Sequence, residues 1–283
     1  MPTELHIFRR LVLGLQLRAS DISMQYAAEL AGLLRLDLVG LFFEDTSLKH
    51  LAAIPFAREI RPLGGDWHPI DIDRLARDID AVAHGIERIF TDAAKRLATR
   101  HQFEIVRGPL AETLLSMSRS DDIVMIVEPL SAAERATQQF VGLMQAAFRS
   151  RAAVLIVPPR IVRNKGPVVA IATGADDPSI RAAAAIASAA GEALAVVDIG
   201  ATMTDETRLQ ALAGEVGVTI THIKAGAAGR ARPAETLAPL RERLVVVTRD
   251  VVADQAAAAL ASARRVPVLV IEPPATAAAP AAA

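Results

Sequence analysis

Short, continuous apolar runs alternate along this chain with longer stretches whose apolar residues recur every three or four positions. That alternation predicts strands interleaved with helices from end to end. Leu11, Val12, Leu13, Leu15 and Leu17 mark a buried strand over residues 10–17. Residues 20–36 have helical spacing, with Met24, Ala27, Ala28, Ala31 and Leu34 on one face, and residues 38–43 form a second apolar strand. The rhythm then breaks over residues 44–70, which hold Pro55, Pro62, Gly64, Gly65 and Pro69 and predict a long irregular segment. The clearest helical pattern covers residues 71–100, through Leu75, Ile79, Val82, Ile86, Ile89, Ala93 and Leu97. A strand over 103–106, a helix over 110–118, a strand over 123–127, a helix over 132–148 and a closing strand over 154–157 complete the first half. Gly14 and Gly40 inside strands predict close approach of backbone or helix.

After a short basic stretch at 160–165 the same order returns, with strands near 168–172, 194–197, 218–223, 244–247 and 268–271. Asp177-Pro178-Ser179 opens its first helix, with a capping carboxylate followed by proline at the first helical position. Short segments repeat. Ser23–Ala31 aligns without gaps on Ser179–Ala187, Pro109–Leu114 on Arg232–Leu237, and the closing strand at 154–159 on 268–274. A duplicated module sets the domain count at two, over residues 1–159 and 160–274, the second shorter. An Ala/Pro-rich tail at 275–283 is expected to be disordered. Five strands per half, separated by helices, predict an α/β chain with two parallel sheets covered on both faces.

Composition narrows the function classes. Across 283 residues, Lys and Arg total 31 against 32 Asp and Glu, so charge gives no reason to expect nucleic acid or an anionic membrane surface. Cysteine is absent, which removes disulfides, thiolate nucleophiles and Cys-ligated metals together. No stretch is apolar and long enough to predict membrane insertion, and the first residues lack a basic-then-apolar signal pattern. A cytoplasmic protein is the expectation. The six histidines have no metal-like spacing, and no Gly-x-Ser-x-Gly elbow or Gly-x4-Gly-Lys-Ser/Thr loop occurs, so no catalytic or metal residues are assigned.

The order of all five strands in each half resembles the universal stress protein family, with Asp121-Asp122-Ile123-Val124-Met125 before the fourth helix and Pro267-Val268-Leu269-Val270 as the last strand. The resemblance covers nearly the whole chain as a tandem pair. It implies two five-stranded parallel domains whose closing strands, 154–157 and 268–271, pair antiparallel, so that one chain stands in for the family's dimer. A further homodimer is left open. In ATP-binding members an acidic residue follows the first strand, and a loop Gly-x2-Gly-x9-Gly-Ser/Thr follows the fourth. Glycines let backbone amides approach phosphate there, beside a helix N-terminus.

On the matching positions this chain departs from that pattern. The first strand ends at Gln16-Leu17, or at Thr173-Gly174 in the second half. After the fourth strand the first half reads Val127-Glu128-Pro129-Leu130, with no glycine until Gly142, which Leu143 follows instead of a hydroxyl residue. The second half runs from Thr248-Arg249-Asp250 directly toward its last helix. Gln16, Val127, Glu128, Gly142, Thr173, Asp176 and Thr248 are therefore the remnant positions of a nucleotide site, and no bound cofactor is expected. The function this favours is a non-catalytic regulatory or stress-response role exercised through protein contacts with unidentified partners. The alternatives are a sensor of ATP, AMP or a cyclic dinucleotide with a modified pocket, and an electron-transfer-flavoprotein-like subunit.

Three smaller features have two readings each. Gly226-Ala227-Ala228-Gly229-Arg230 is an anion-binding loop or, more simply, a flexible one; Asp71-Ile72-Asp73 offers carboxylates to a cation or caps a helix; Asp176-Asp177 touches a ribose or caps a helix. The 44–70 stretch has no counterpart in the second half and holds Phe56, Trp67 and His68, the candidates for a partner-docking surface if the segment is not a lid over its own domain.

Overall fold

The computed structural model describes residues 8–15, 21–44, 52, 54, 56–60, 66–108, 110–200, 205–252 and 254–272. Gln16, the 275–283 tail and part of the 44–70 stretch lie outside these residues. In chain order the elements are β1 (Arg10–Leu15), α1 (Asp21–Leu34), β2 (Asp37–Glu44), β3 (Arg58–Ile60), β4 (Trp67–Pro69), α2 (Ile72–Arg96), β5 (His101–Arg107), α3 (Leu110–Met117) and β6 (Asp122–Val127). Then come α4 (Ala132–Arg135), α5 (Gln138–Arg149), β7 (Ala153–Val157), β8 (Val168–Ala172), α6 (Pro178–Ala190), β9 (Leu194–Asp198), α7 (Glu206–Val216) and β10 (Ile220–Lys224). The chain closes with α8 (Gly226–Ala231), α9 (Pro233–Thr236), β11 (Leu244–Thr248), α10 (Asp254–Arg264) and β12 (Val268–Ile271). The repeated sequence segments fall on matching elements: α1 and α6, α3 and α9, β7 and β12.

Residues 9–118 form one compact unit. Its strands β1, β2 and β5 run parallel, with Leu13 beside Gly40 and Gly40 beside Phe103. Helix α1 packs on β1 and β2, α2 packs on β2 and β5, and the two helices pack on each other. Ile79, Ala83, Ile86, Phe90, Ala93 and Ala94 form the buried stripe of α2, as the 3.6-residue period requires. Gly40 makes this seam possible: a Cβ there would lie 2.9 Å from two ring atoms of the fully buried Phe90 and 3.1 Å from Phe103. Gly14 is different, since its Cβ would meet Phe43 at an ordinary 3.6 Å.

Residues 119–272 form the second unit. Its seven strands lie in the order β10-β9-β8-β11-β12-β7-β6. The five strands of the second half are all parallel, as are β6 and β7. Between β12 and β7 the direction reverses: Val268 faces Ile156, Leu269 faces Leu155 and Val270 faces Val154. The antiparallel pairing implied by the resemblance is thus present, and Leu155 and Leu269 lie at its centre. Every residue of β7, β8, β9, β11 and β12 is buried, which explains why these strands read as apolar runs, broken only by Asp198 and Thr248 at the ends of β9 and β11. Helix α6 starts at Asp177, whose carboxylate accepts from the Ser179 N–H, and stops at Gly191 in the left-handed region (φ 64°).

Three expectations change. The helix expected over 132–148 is two, because the Thr137 hydroxyl accepts from the Phe140 N–H and donates to the Glu134 carbonyl, capping a fresh start. The 226–230 segment is not a flexible loop but helix α8; Gly229 is there for packing, since a Cβ would stand 2.4 Å from Ala225 Cβ. The 44–70 stretch is not wholly irregular: β3 and β4 pair antiparallel, with Arg58 opposite Pro69, Glu59 opposite His68 and Ile60 opposite Trp67.

The two strand glycines give a paired prediction. Gly40→Ala is expected to lower unfolding free energy by about 1–3 kcal/mol through overpacking against Phe90. Gly14→Ala should be neutral or slightly stabilising, because it lowers backbone entropy in the unfolded chain. Urea unfolding of both variants checks this, and equal effects would refute the packing role given to Gly40.

Candidate functional site

Ligands of open α/β sheets bind beyond the C-terminal ends of the strands, where the strand order reverses. In the second half that point lies between β8 and β11, so Thr173–Asp177 and Thr248–Asp250 flank it. The β8 side is already occupied by its own chain. Thr173 spends both its N–H and its hydroxyl on Asp177 Oδ2, at 2.9 and 3.2 Å, while Asp177 Oδ1 takes the Ser179 N–H. Asp177 caps the helix, as the simpler reading expected. Asp176 is exposed and pairs with Arg208 on α7, one nitrogen of which lies 2.8 and 2.9 Å from its two oxygens. Gly200 closes the rim, since a Cβ there would fall 2.1 Å from the Thr173 carbonyl oxygen. Beside it, the buried Asp198 accepts from the Gly200 N–H, and His222 Nε2 stands 3.7 Å from its other oxygen.

The β11 side holds the most informative pair of residues. Arg249, directly after β11, donates its N–H to the Ile271 carbonyl at 3.0 Å. Glu128, directly after β6, donates its N–H to the Val157 carbonyl at 2.9 Å. They are equivalent positions of the two copies, and each side chain crosses the β7–β12 pairing. Arg249 Nη1 donates to the carbonyls of Phe148 (2.6 Å) and Ser150 (2.7 Å), and Nη2 donates to that of Ala152. Its guanidinium lies 5.7 Å from the Phe148 ring centroid, with Glu272 Oε2 at 2.9 Å from Nη1. In the other direction, Ser262 Oγ in the last turn of α10 donates to Glu128 Oε2 at 2.6 Å. Each copy therefore uses the residue that follows its fourth strand to hold the end of the other copy's last helix.

The two crossings differ electrostatically. A cation at the carbonyl end of α5 satisfies orphan acceptors and suits the helix dipole. Glu128 is buried, and that burial pushes its carboxyl above the usual range; the Ser262 hydrogen bond and the Arg135 charge only partly offset it. Val127 ends β6 in register with Val157. Gly142 lies within α5, so it is no part of a glycine loop. Thr248 is different. It is 1% exposed, and its hydroxyl has no hydrogen-bond partner.

The remaining candidates separate from this rim. Phe56 and Trp67 are exposed on the β3–β4 segment, at 88% and 61%, whereas His68 is half-buried opposite Glu59. Asp71 is the cap of α2, accepting from the Arg74 N–H, which holds its carboxyl below the usual range. Among the described residues no group of three or more His, Asp or Glu could hold a metal ion, and no helix is long and apolar enough to cross a membrane.

Two features escaped the sequence reading. The role of Arg249 is not evident from the sequence, although a charged residue follows the same apolar run in both copies, and that is the signal that points to it. Glu242 is fully buried and held by Arg264 through two bonds, Nε to Oε1 at 2.8 Å and Nη2 to Oε2 at 3.0 Å. Arg163, from the basic stretch, donates to the Glu242 and Arg264 carbonyls and ties that stretch onto the second half.

No protein-family model matches the chain, and no curated protein matches it. Solved structures do. A universal stress protein from Archaeoglobus fulgidus DSM 4304 is 13% identical, covers 94% of this chain and 98% of its own, and superposes with a TM-score of 0.63. A functionally unknown protein from Pseudomonas aeruginosa PAO1 is 14% identical over 95% of this chain and 94% of its own, with a TM-score of 0.50. The cytoplasmic domain of a prokaryotic cation chloride cotransporter is 10% identical over 93% and 95%, with a TM-score of 0.51. At such identities the likeness is one of fold: the chain has the α/β fold of a universal stress protein, over nearly its whole length.

Two outcomes follow from the crossing contacts. Arg249→Met leaves three carbonyls near the end of α5 without their charged donor, and should cost about 2–4 kcal/mol in chemical denaturation. Arg208→Met, which breaks only the exposed pair with Asp176, should cost at most about 1 kcal/mol. A smaller loss for Arg249 than for Arg208 would contradict the clamp. For Glu128 the folded-state carboxyl binds its proton more tightly than the unfolded one, so its favourable contribution is complete below the unfolded value, near 4.5, and is lost as pH rises through the folded one. Glu128→Gln should therefore gain stability relative to wild type as pH climbs from 4.5 toward neutrality. A difference independent of pH would show that Glu128 titrates normally.

Proposed function

We propose that the chain is a tandem universal-stress-protein-like protein, with modules at 1–159 and 160–274, that works through protein contacts and not through catalysis or nucleotide turnover. One observation carries this. At the two equivalent positions after β6 and β11, Glu128 and Arg249 are bonded across the β7–β12 pairing. A phosphate would need free backbone amides and a helix N-terminus there. Instead Pro129 lacks an N–H, and Glu128 places a carboxylate beside the position. At the β8 side, the Thr173 amide and hydroxyl both serve Asp177. On this reading, the positions where the family resemblance implies a glycine loop carry side chains that hold the two copies together.

A nucleotide sensor is the competing reading, and Thr248 favours it. A buried hydroxyl without a protein partner at the strand-order reversal is a group that a polar ligand atom could satisfy.

Thermal unfolding with millimolar ATP, AMP or cyclic di-nucleotide separates the two. A ligand at about 100 times its dissociation constant adds about 2.7 kcal/mol, which moves the midpoint of a chain this size by several degrees. No shift with any of the three is expected. Thr248→Val should then raise stability by about 1 kcal/mol, because an apolar isostere removes an unsatisfied buried group. An upshift with ATP that Thr248→Val abolishes would overturn the non-binding proposal in favour of the sensor.

A further inference from the structure

At the end of the second-half sheet opposite Thr173 and Thr248 lies a strip of positive charge that the fold itself does not use. The connection from β7 to β8, residues 158–167, runs along that end and is tied down on both sides. Val162 donates its N–H to the Arg265 carbonyl at 3.0 Å, and Arg243 donates its own to the Pro167 carbonyl at 3.1 Å. Gly166 lies so close to Arg241 that a Cβ on it would stand 2.4 Å from that carbonyl oxygen. Between these points Arg163 donates to the carbonyls of Glu242 and Arg264. These backbone contacts hold Arg160, Lys165, Arg241 and Arg265 along one short stretch, since five residues of chain span at most about 18 Å.

All four side chains are exposed, and none makes a hydrogen bond or ion pair among the described residues. The adjoining acids are already engaged: Glu242 is held by Arg264 and Arg163, and Glu192 lies 3.8 Å from Arg243. Backbone geometry adds an independent sign. Arg241 and Arg265 both sit in the left-handed region, at φ 50° and 54°. Helices α6 and α7 stop in that conformation on Gly191 and Gly217, whereas α10 stops on Arg265. A Cβ costs energy there that glycine avoids, and strained positions of this kind gather at ligand clamps. A cation at the carbonyl end of α10 accounts for part of the choice of Arg265. Arg241 has no such reason, because α9 has already stopped at Thr236. Val162, 55% exposed, sets one apolar side chain among the cations.

We propose that this strip docks an acidic segment of a partner protein, an extended run whose carboxylates flank one apolar side chain. It rests on the protein-contact reading above and names the partner's chemistry. Three of the four cations are arginines, whose planar fork takes a carboxylate through two parallel bonds. In an extended chain, carboxylates two places before and two places after an apolar residue share its face and lie about 13 Å apart. That separation fits within the strip, and the apolar residue then meets Val162. A nucleic acid would need aromatic side chains for its bases, and residues 158–167 hold none. One valine gives little apolar area with which to enter a bilayer.

Fluorescence anisotropy tests this with the whole chain and a fluorescein-labelled nonapeptide of alternating glutamate and serine, with leucine at its centre. Binding is expected at micromolar concentrations, weakening as salt rises from about 50 to about 200 mM. The same peptide with glutamine for glutamate should not bind. Arg160→Ser with Lys165→Ser should weaken binding at least about tenfold at an unchanged melting temperature, since neither side chain has a partner to lose. Arg241→Gly with Arg265→Gly should weaken it as much while the melting temperature holds or rises, because glycine relieves both left-handed positions. Arginines kept for stability alone would give a lower melting temperature and unchanged binding. That result, no binding at about 100 μM, or a glutamine peptide that binds equally would each overturn the proposal. Tighter binding of oligothymidylate or of phosphatidylglycerol vesicles than of the peptide would overturn it too, assigning the strip to a nucleic acid or a membrane. ATP is tested at the other end of the sheet, so a nucleotide shift counts against the protein-contact reading and a silent peptide against this strip.

Discussion

The antiparallel contact between β7 and β12 sets most of what surrounds it. Both strands are fully buried, and Leu155 faces Leu269 at their centre. Neither strand is then an edge, so their long apolar runs are not exposed templates for aggregation. Helix α10, the last of the second half, packs on β12 and also on β7 and α5. With helices from both copies meeting over the joint, the C-terminal turns of α5 and α10 come within reach of the opposite copy's fourth strand. Once that geometry exists, a long polar side chain after β6 or β11 has a carbonyl or hydroxyl to bind across the joint. Glu128 and Arg249 are those side chains.

Their chemistry is unequal, and the difference is informative. Arg249 replaces water at three carbonyls near a helix end, where a positive charge belongs. Glu128 has one hydroxyl donor and the distant help of Arg135, in a site that disfavours its ionised form. A duplicated fold with true symmetry would carry the same residue twice. This one carries a cation on one side and a carboxylate on the other, so the two halves differ at this position. A glycine loop serves a ligand by leaving amides unoccupied; a side chain that crosses the joint serves pairing by occupying the same space. In this chain the bonds made by the side chains of Glu128 and Arg249 cross the joint.

Much of the architecture was legible in the sequence because burial on both faces leaves a strong trace. The strands β7, β8 and β12 are wholly apolar, β6, β9 and β11 are apolar but for one terminal residue each (Asp122, Asp198 and Thr248), and α2 shows its buried stripe at helical spacing. The repeated segments landed on equivalent elements for the same reason: they are core or capping positions, where packing constrains residue type. What stayed hidden depends on contacts distant in sequence or on local capping. Thr137 restarts a helix inside a stretch rich in helix-forming residues, where Glu134-Arg135-Ala136-Thr137-Gln138-Gln139 carries no turn signal. The β3–β4 ribbon has only three residues per strand, too few for alternation to stand out among prolines and glycines. Glu128 could be recognised as unfriendly to phosphate, but its bond to Ser262 spans 134 residues. Arg249 reads in sequence as one more charge after a strand, and only the fold puts the end of α5 in front of it.

The blocked strand ends and the exposed ribbon bear on each other through the same constraint. Closing β7 on β12 within one chain pairs both strands on either side, so neither offers a free edge to another molecule. The 44–70 stretch is the principal addition, present in the first copy and missing from the second, and its described part places apolar side chains outward while Arg74 on α2 donates to Glu59 on its inner rung. An insertion that merely closed over its own domain would turn Trp67, Ile60 and Phe56 inward and leave Glu59 and His68 in water. The observed alternation is the reverse. The duplicated core accounts for folding and for self-pairing, and the asymmetric insertion adds exposed apolar side chains that the second half does not carry at the corresponding place.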